Sequence, residues 1–338
     1  MMSFAPRARS MLLQTLMPGL LIALAVVVGP LAGAQAQTYP ARPVTFVVPF
    51  TPGGGTEFLA RLLGQRLEQR LGKPFVIENR PGGGGVTGAV SVARAAPDGY
   101  TLLMAPAPVM AINVSLHKKL PYDPAADFVP LALVVSSPYV LVVTPSLPVQ
   151  SVSDLIALAK DKPGRLAFAS AGPGTPHHLF PELFKSMTGI EMTHVPYKGS
   201  APALTDVIAG HVPILFSDTV PSLPQIREGK VRALGVSTAV RLPSAPEIPP
   251  IAEVGVPGFD AAGWGVFSVP AGTPKEVVAK LKAALDAAIA LPEVQQQIIK
   301  LGLIPGGASS PEELQRFISS EIARWAKVVT QAGLAGTE

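Results

Sequence analysis

Three glycine-rich turns each fall between a short β-branched run and a helix-forming stretch, and this placement restricts the fold more than any other feature of the chain. They read Thr51-Pro52-Gly53-Gly54-Gly55-Thr56, Pro81-Gly82-Gly83-Gly84-Gly85 and Ser170-Ala171-Gly172-Pro173-Gly174-Thr175. A strand that feeds a helix through a tight turn is the repeating unit of an α/β fold with parallel strands. Residues 44–50 (VTFVVPF) read as a buried strand, with Thr56 as the cap of a helix to about Leu71. Residues 75–79 repeat the plan with a helix to about Ala96, and residues 100–105 open a third unit with a short helix near 111–117.

From Phe128 the pattern lengthens into extended runs, including 139–144, before a second α/β set begins. Its predicted helices cover 152–160, 176–187, 202–209 and 223–228, and its strands 166–170, 192–195, 214–216 and 231–237. Pro246, Pro249 and Pro250 make 243–257 an irregular connector. The tail after the extended 264–269 run reads as helical. Thr273-Pro274-Lys275-Glu276 and Ser310-Pro311-Glu312-Glu313 each supply a capping hydroxyl, proline at N1 and glutamate at N3, which predicts helix starts at 274 and 311. The stretches around 137–144 and 259–269 bracket the middle set. The simplest architecture is therefore a discontinuous first lobe (37–138 and 262–338) and an inserted second lobe (139–261), joined by two crossing strands. Ligands of such folds bind at the carboxyl ends of the strands, here in a cleft between the lobes.

The first residues read as an address. Arg7 and Arg9 precede the apolar stretch 19–29 (GLLIALAVVVG), and Ala34-Gln35-Ala36 supplies an A-x-A cleavage site. The apolar stretch is too short to span a bilayer. The expectation is export, with cleavage after Ala36 of a 1–36 signal peptide and a periplasmic location. Loss of Arg7 and Arg9 leaves 25 basic against 23 acidic residues, a net charge of +2, with no basic stripe to suggest a nucleic-acid partner. The absence of cysteine excludes disulfides, thiolate metal sites and a cysteine nucleophile.

Glycine lets backbone approach a ligand, and a following helix N-terminus adds partial positive charge, so each glycine turn is a candidate anion cradle. Residues 83–88 satisfy G-x-G-x-x-G, but the acid expected about 20 residues on is missing and no Walker lysine follows any glycine turn. Residues 168–172 (FASAG) form half of a nucleophile elbow, which His178 and Asp218 complete as a triad on paper only. The adjacent His177 and His178 point about 100° apart on a helix and cannot share a metal. Neither a metal nor a cofactor is expected. The Tyr197 phenol is a candidate to reach the cleft, and Glu57 complements the helix dipole while repelling a carboxylate placed beside it.

In order along the chain, residues 39–43 (YPARP), 47–61 (VVPFTPGGGTEFLAR), 78–88 (ENRPGGGGVTG), 97–103 (PDGYTLL), 120–128, 168–179 (FASAGPGTPHHL), 194–212 and 263–274 resemble the Bug-type periplasmic solute-binding proteins of tripartite tricarboxylate transporters. The resemblance implies a two-lobed, type II periplasmic-binding-protein (Venus flytrap) fold. It also implies a monomeric, non-enzymatic protein that delivers a small carboxylate (di- or tricarboxylate, or aromatic) to membrane permease subunits. Presentation of the ligand to a sensor receptor, and a periplasmic hydrolase, are the alternatives. The site that the resemblance implies takes Phe50, Thr51, Gly53, Gly54, Gly55, Thr56, Glu57, Gly83, Gly84 and Gly85 from lobe one. Ala107 stands on its third turn, and lobe two contributes Ser170, Ala171, Gly172, Thr175, His178, Tyr197 and Asp218. Three departures from the family pattern stand out: Glu57 in place of aspartate, the apolar turn 106–110, and the additional imidazole of the His177-His178 pair. The second favours a ligand with an apolar body.

Overall fold

The computed structural model describes residues 1–2, 39–52 and 55–337. The expected signal peptide, Gly53 and Gly54 lie outside the described residues. Residues 42–338 pack into one unit that contains two sheets.

The first sheet takes β1 (Val44–Val48), β2 (Phe75–Asn79), β3 (Thr101–Pro106), β4 (Phe128–Ser137), β10 (Gly263–Pro270) and β11 (Ile304–Pro305). Its order is β11-β4-β10-β3-β1-β2, parallel from β1 to β2 and β3, and antiparallel where β10 pairs with β3 and β4. The second sheet takes β5 (Tyr139–Val143), β6 (Ala167–Ser170), β7 (Thr193–Pro196), β8 (Ile214–Asp218) and β9 (Arg232–Val236), in the order β7-β6-β8-β5-β9. The run Tyr139–Val143 is buried throughout and Val44–Val48 is buried except at the half-buried Thr45, as strands covered by helices on both sides should be.

The helices in the first half are α1 (Gly55–Leu71), α2 (Val86–Ala93) and α3 (Asn113–Leu116), the last preceded by a π-helical turn (Pro108–Ile112). Around the second sheet lie α4 (Val152–Asp161), α5 (Pro176–Thr188), α6 (Ser200–Ala209) and α7 (Thr219–Arg227). The tail carries α8 (Lys275–Ile289), α9 (Pro292–Lys300) and α10 (Pro311–Gln331).

Among the helix starts that differ from the sequence reading, α6 begins at Ser200 instead of 202 and α7 at Thr219 instead of 223, and two more have a local explanation. The first is α1, which begins at Gly55, so Thr56 is its second residue and not its cap. The second is α8, which begins at Lys275, one residue late, because the Thr273 hydroxyl donates to the Pro270 carbonyl (2.7 Å) and caps nothing. At Ser310 the capping box forms in full. The sequence reading contained neither α9 nor β11. Leu291 precedes Pro292 where a capping hydroxyl would mark a helix start, and a two-residue strand has no periodicity to read.

The chain passes from the first sheet to the second at Pro138 and returns between Val236 and Gly263. One buried hydroxyl binds the two crossings together. Ser237 Oγ accepts from the Tyr139 amide (2.9 Å) and donates to the Ala261 carbonyl, while the Ala261 amide donates to the Ser237 carbonyl (2.7 Å). Buried backbone groups need such partners, so the hydroxyl satisfies two polar groups where the chain changes sheets.

Candidate ligand-binding site

At the carboxyl ends of β1, β2 and β3 the three turns of the first half converge. Gly82, Gly83, Gly84 and Gly85 all have positive φ (137°, 52°, 61° and 96°), a run that curls the backbone into a concave turn of the kind that binds anions. Gly83 and Gly84 are exposed, while Gly85 is buried against the neighbouring turns. A methyl group on Gly85 would lie 2.5 Å from Val109 Cγ2, 3.4 Å from Pro49 Cβ and 3.6 Å from Phe50 Cζ. Asn113, buried at the start of α3, donates to the Gly84 carbonyl (3.3 Å), and Asn79 at the end of β2 donates to the Phe50 carbonyl (3.0 Å). These two asparagines fix the turns from behind. They were missed in the sequence because a polar residue ending an apolar run gives no spacing signal.

Phe50 and Thr56 are half-buried, and Thr51 and Gly55 are exposed. Glu57 is buried and takes two hydrogen bonds from Arg61, at 2.8 and 2.5 Å. Its charge is therefore partnered inside the helix, which reduces the repulsion expected toward a neighbouring carboxylate. Ala107 is 2 % exposed, and Val109 and Met110 are fully buried. Tyr122 donates to the Val109 carbonyl (2.6 Å), so the apolar turn after β3 is core. The expectation that it presents an apolar surface to a ligand is corrected.

The third glycine turn is internally satisfied, unlike an open amide cradle. The Gly172 amide donates to Ser170 Oγ (3.0 Å), the Gly174 amide to His178 Nδ1 (3.3 Å) and the Thr175 hydroxyl to the Gly172 carbonyl (2.6 Å). Its close contact is with the first half, since a methyl group on Gly174 would lie 2.8 Å from Leu116 Cδ1. Ala171 and Thr175 are half-buried beside it.

His178 is buried, its ring stacked on His194 at a centroid distance of 3.7 Å. It anchors the turn through Nδ1. Burial and the nearby Lys185 push His178 down to about 4, and burial and His178 push His194 down to about 4. Both rings are thus neutral in the folded protein, while in the unfolded chain they bind protons below about pH 6.5. The unfolded state takes up more protons, so stability falls as pH drops from 6.5 toward 4. The expected loss from His178 alone is about 2 kcal/mol between pH 6.5 and 5, with His194 adding to the slope. Denaturant titrations of the parent and of His178→Gln across that range check it; equal slopes for the two proteins would refute it.

The Tyr197 hydroxyl donates to Asp206 on α6 (2.6 Å). The paper triad does not assemble. Ser170 is 0 % exposed and bonds His194 Nε2 (2.6 Å), whereas the Asp218 carboxylate takes His177 Nε2 (3.0 Å). Asp218 stands at the end of β8, opposite Tyr139 on β5 and on the sheet edge where β6 ends at Ser170. His177 and His194, absent from the expected site, are the side chains that position Asp218 and Ser170. Among the described residues no group of three or more histidine, aspartate or glutamate side chains is placed to hold a metal ion.

Two α/β lobes joined by paired crossing strands, with glycine turns gathered at facing sheet ends, define a two-lobed solute-binding protein. Residues 59–334 match the tripartite tricarboxylate transporter family receptor, and the chain belongs to that family, known as TctC or Bug. It is similar to the protein BugT of Bordetella pertussis, with 39 % identity over 93 % of this chain and 96 % of BugT. It also resembles an adipate-bound protein of R. palustris, at 43 % identity over 88 % of this chain and 99 % of that one, with a TM-score of 0.75. MatC of Rhodopseudomonas palustris with bound malate is 35 % identical over 86 % of this chain and 100 % of that one, with a TM-score of 0.71. The family is one of periplasmic binding proteins for carboxylates.

Proposed function

We propose that this chain is an exported, monomeric periplasmic receptor that captures a small carboxylate between lobe one (37–138 and 262–338) and lobe two (139–261). It passes the ligand to the permease of a tripartite tricarboxylate transporter and performs no chemistry on it. The observation that carries the reading is the run of four left-handed glycines at 82–85 beside the amino end of α1, with both turns braced by asparagines. Backbone amides with a helix dipole behind them hold a carboxylate without committing a lysine, which suits a ligand that must be released again. The adipate and malate carried by two relatives support this chemistry.

In this reading Phe50, Thr51, Gly53, Gly54, Gly55, Thr56, Gly83 and Gly84 receive the carboxylate. Ala171, Thr175 and Asp218 close over its other end. Ser170, Gly172 and His178 act behind them by shaping the lobe-two turn.

The test is thermal unfolding with a panel of aliphatic and aromatic mono-, di- and tricarboxylates, repeated on Gly55→Pro. Proline is accepted in the first turn of a helix, and Gly55 has nothing within 4 Å of a Cβ position. The variant therefore folds with its melting temperature held within about 2 °C of the parent, on the scale of about 2 °C per kcal/mol. Loss of one N–H to a charged oxygen costs about 1.5–3 kcal/mol, a loss of affinity of about 10- to 150-fold. Unchanged affinity would remove this turn from the site. A protein refolded from denaturant that no carboxylate stabilises would overturn the reading as a whole.

A further inference from the structure

Asp218 is the acid at the cleft-facing edge of the second sheet, and its surroundings define which ligand tail that edge accepts. The His177 ring donates to Oδ2 at 3.0 Å, and the Ser200 and Tyr139 hydroxyls stand near the same carboxylate as weaker donors. Burial pushes the Asp218 carboxyl up, and the three donors outweigh it, leaving it below the usual carboxylate range. A carboxylate has about four acceptor positions. His177 fills one of them, at Oδ2, and the side chain keeps 36 % of its surface exposed. Acceptor capacity therefore remains on a carboxylate that His177 holds in place.

The charge on His177 determines whether this edge is anionic or neutral. His177 is 5 % exposed and packs edge-on against Tyr139 at 5.1 Å. Its Nδ1 is buried with no hydrogen-bond partner. In a cationic ring that atom would be a buried, unsatisfied N–H donor, which folded proteins tolerate less readily than an unpaired acceptor. The ring that fits this site is the neutral tautomer with its proton on Nε2. Asp218 thus keeps its full negative charge toward the cleft.

We propose that His177 is a specificity-determining residue that acts through Asp218. It fixes one acceptor at the second-lobe end of the cleft, which selects carboxylates whose tail carries a hydroxyl or ammonium over those whose tail carries a second carboxylate. The inference rests on the carboxylate-binding reading above. Its nearest competitor on the same edge is Lys198, exposed two residues before Ser200, which would favour the opposite choice.

The experiment uses two matched series read by titration calorimetry. One is butyrate, 4-hydroxybutyrate, 4-aminobutyrate and succinate; the other is hexanoate, 6-hydroxyhexanoate, 6-aminohexanoate and adipate. In the parent, the hydroxy or amino member of at least one series binds at least 10-fold more tightly than the diacid of equal length. In His177→Leu that ratio falls below about 3-fold while the unsubstituted acid keeps its affinity, and His177→Gln, whose amide still donates, restores part of the ratio. A parent that binds the diacid as tightly or more tightly overturns the inference and assigns the tail to Lys198. An unchanged ratio in His177→Leu overturns the role of His177 alone. Binding of none of the eight acids by a protein that the wider carboxylate panel stabilises overturns the inference and leaves the carboxylate reading standing.

Discussion

Replacing Gly85 by alanine is expected to cost about 2–5 kcal/mol of stability and to lower the melting temperature by roughly 4–10 °C. Two separate effects add. At φ +96° a side chain meets its own backbone, which costs about 1–2 kcal/mol. The added methyl group would also stand 2.5 Å from Val109 Cγ2 inside a fully packed turn, and overpacking of that kind costs about 1–3 kcal/mol. Val109 cannot yield easily, because its carbonyl holds the Tyr122 hydroxyl. Strain is relieved by moving the 82–85 turn outward, so ligand affinity should fall by more than 10-fold in the molecules that remain folded. Gly55→Ala is the control. It has open space around the new methyl group and a helical first-turn position, and should melt within about 1 °C of the parent. Thermal scans of both variants decide the matter. A Gly85→Ala protein as stable as Gly55→Ala would mean that the three turns do not brace one another.

Much of the fold was legible because burial leaves a periodic trace. Tyr139–Val143 is apolar on both faces and Val44–Val48 is so except at Thr45, and Ser310-Pro311-Glu312-Glu313 carries every element of a helix start that then forms. The same logic failed at Thr273, whose hydroxyl donates to the Pro270 carbonyl in the preceding turn and accepts from no amide of the helix it was expected to cap. Local sequence cannot decide whether a hydroxyl turns to a carbonyl of the preceding turn or to the amides of the following helix.

The candidate site was legible where backbone decides and illegible where side chains choose partners. Glycine at 82–85 reads directly as left-handed turn, since few other residues adopt that conformation. Tyr197, Ser170 and Asp218 each take a partner that spacing did not name: Asp206, His194 and His177. Two adjacent histidines take unrelated tasks because neighbouring positions on a helix diverge by about 100°, so that His178 meets the turn at Gly174 and His177 meets β8. The divergence was readable in the sequence; the identity of each partner required the fold.

Glu321→Ala is expected to have an effect as large as Gly85→Ala, at the joint between the sheets and away from the glycine turns. The chain has two tryptophans, and one carboxylate oxygen of Glu321 accepts from both indole N–H groups, Trp264 at 2.8 Å and Trp325 at 2.9 Å. Its other oxygen faces Arg324 at 3.3 Å, and Arg324 in turn donates to the Asp260 carbonyl on the returning crossing segment. Trp264 lies near the start of β10, while Trp325 stacks on Phe180 of α5 with centroids 5.5 Å apart. One buried acid thus ties the returning crossing strand to α10, and α10 to a helix of the second sheet. Truncation strands two buried donors at about 1–3 kcal/mol each, for a loss of about 2–6 kcal/mol. Glu321→Gln keeps an oxygen able to accept from both indoles and should lose no more than about 1.5 kcal/mol, since Arg324 is exposed enough to find water. Because both tryptophans belong to this joint, their emission reports on it alone. It should shift in Glu321→Ala before global unfolding and stay near the parent in Glu321→Gln. Equal melting temperatures for the two variants would mean that packing of Trp325 on Phe180, and not the shared carboxylate, holds the lobes in register.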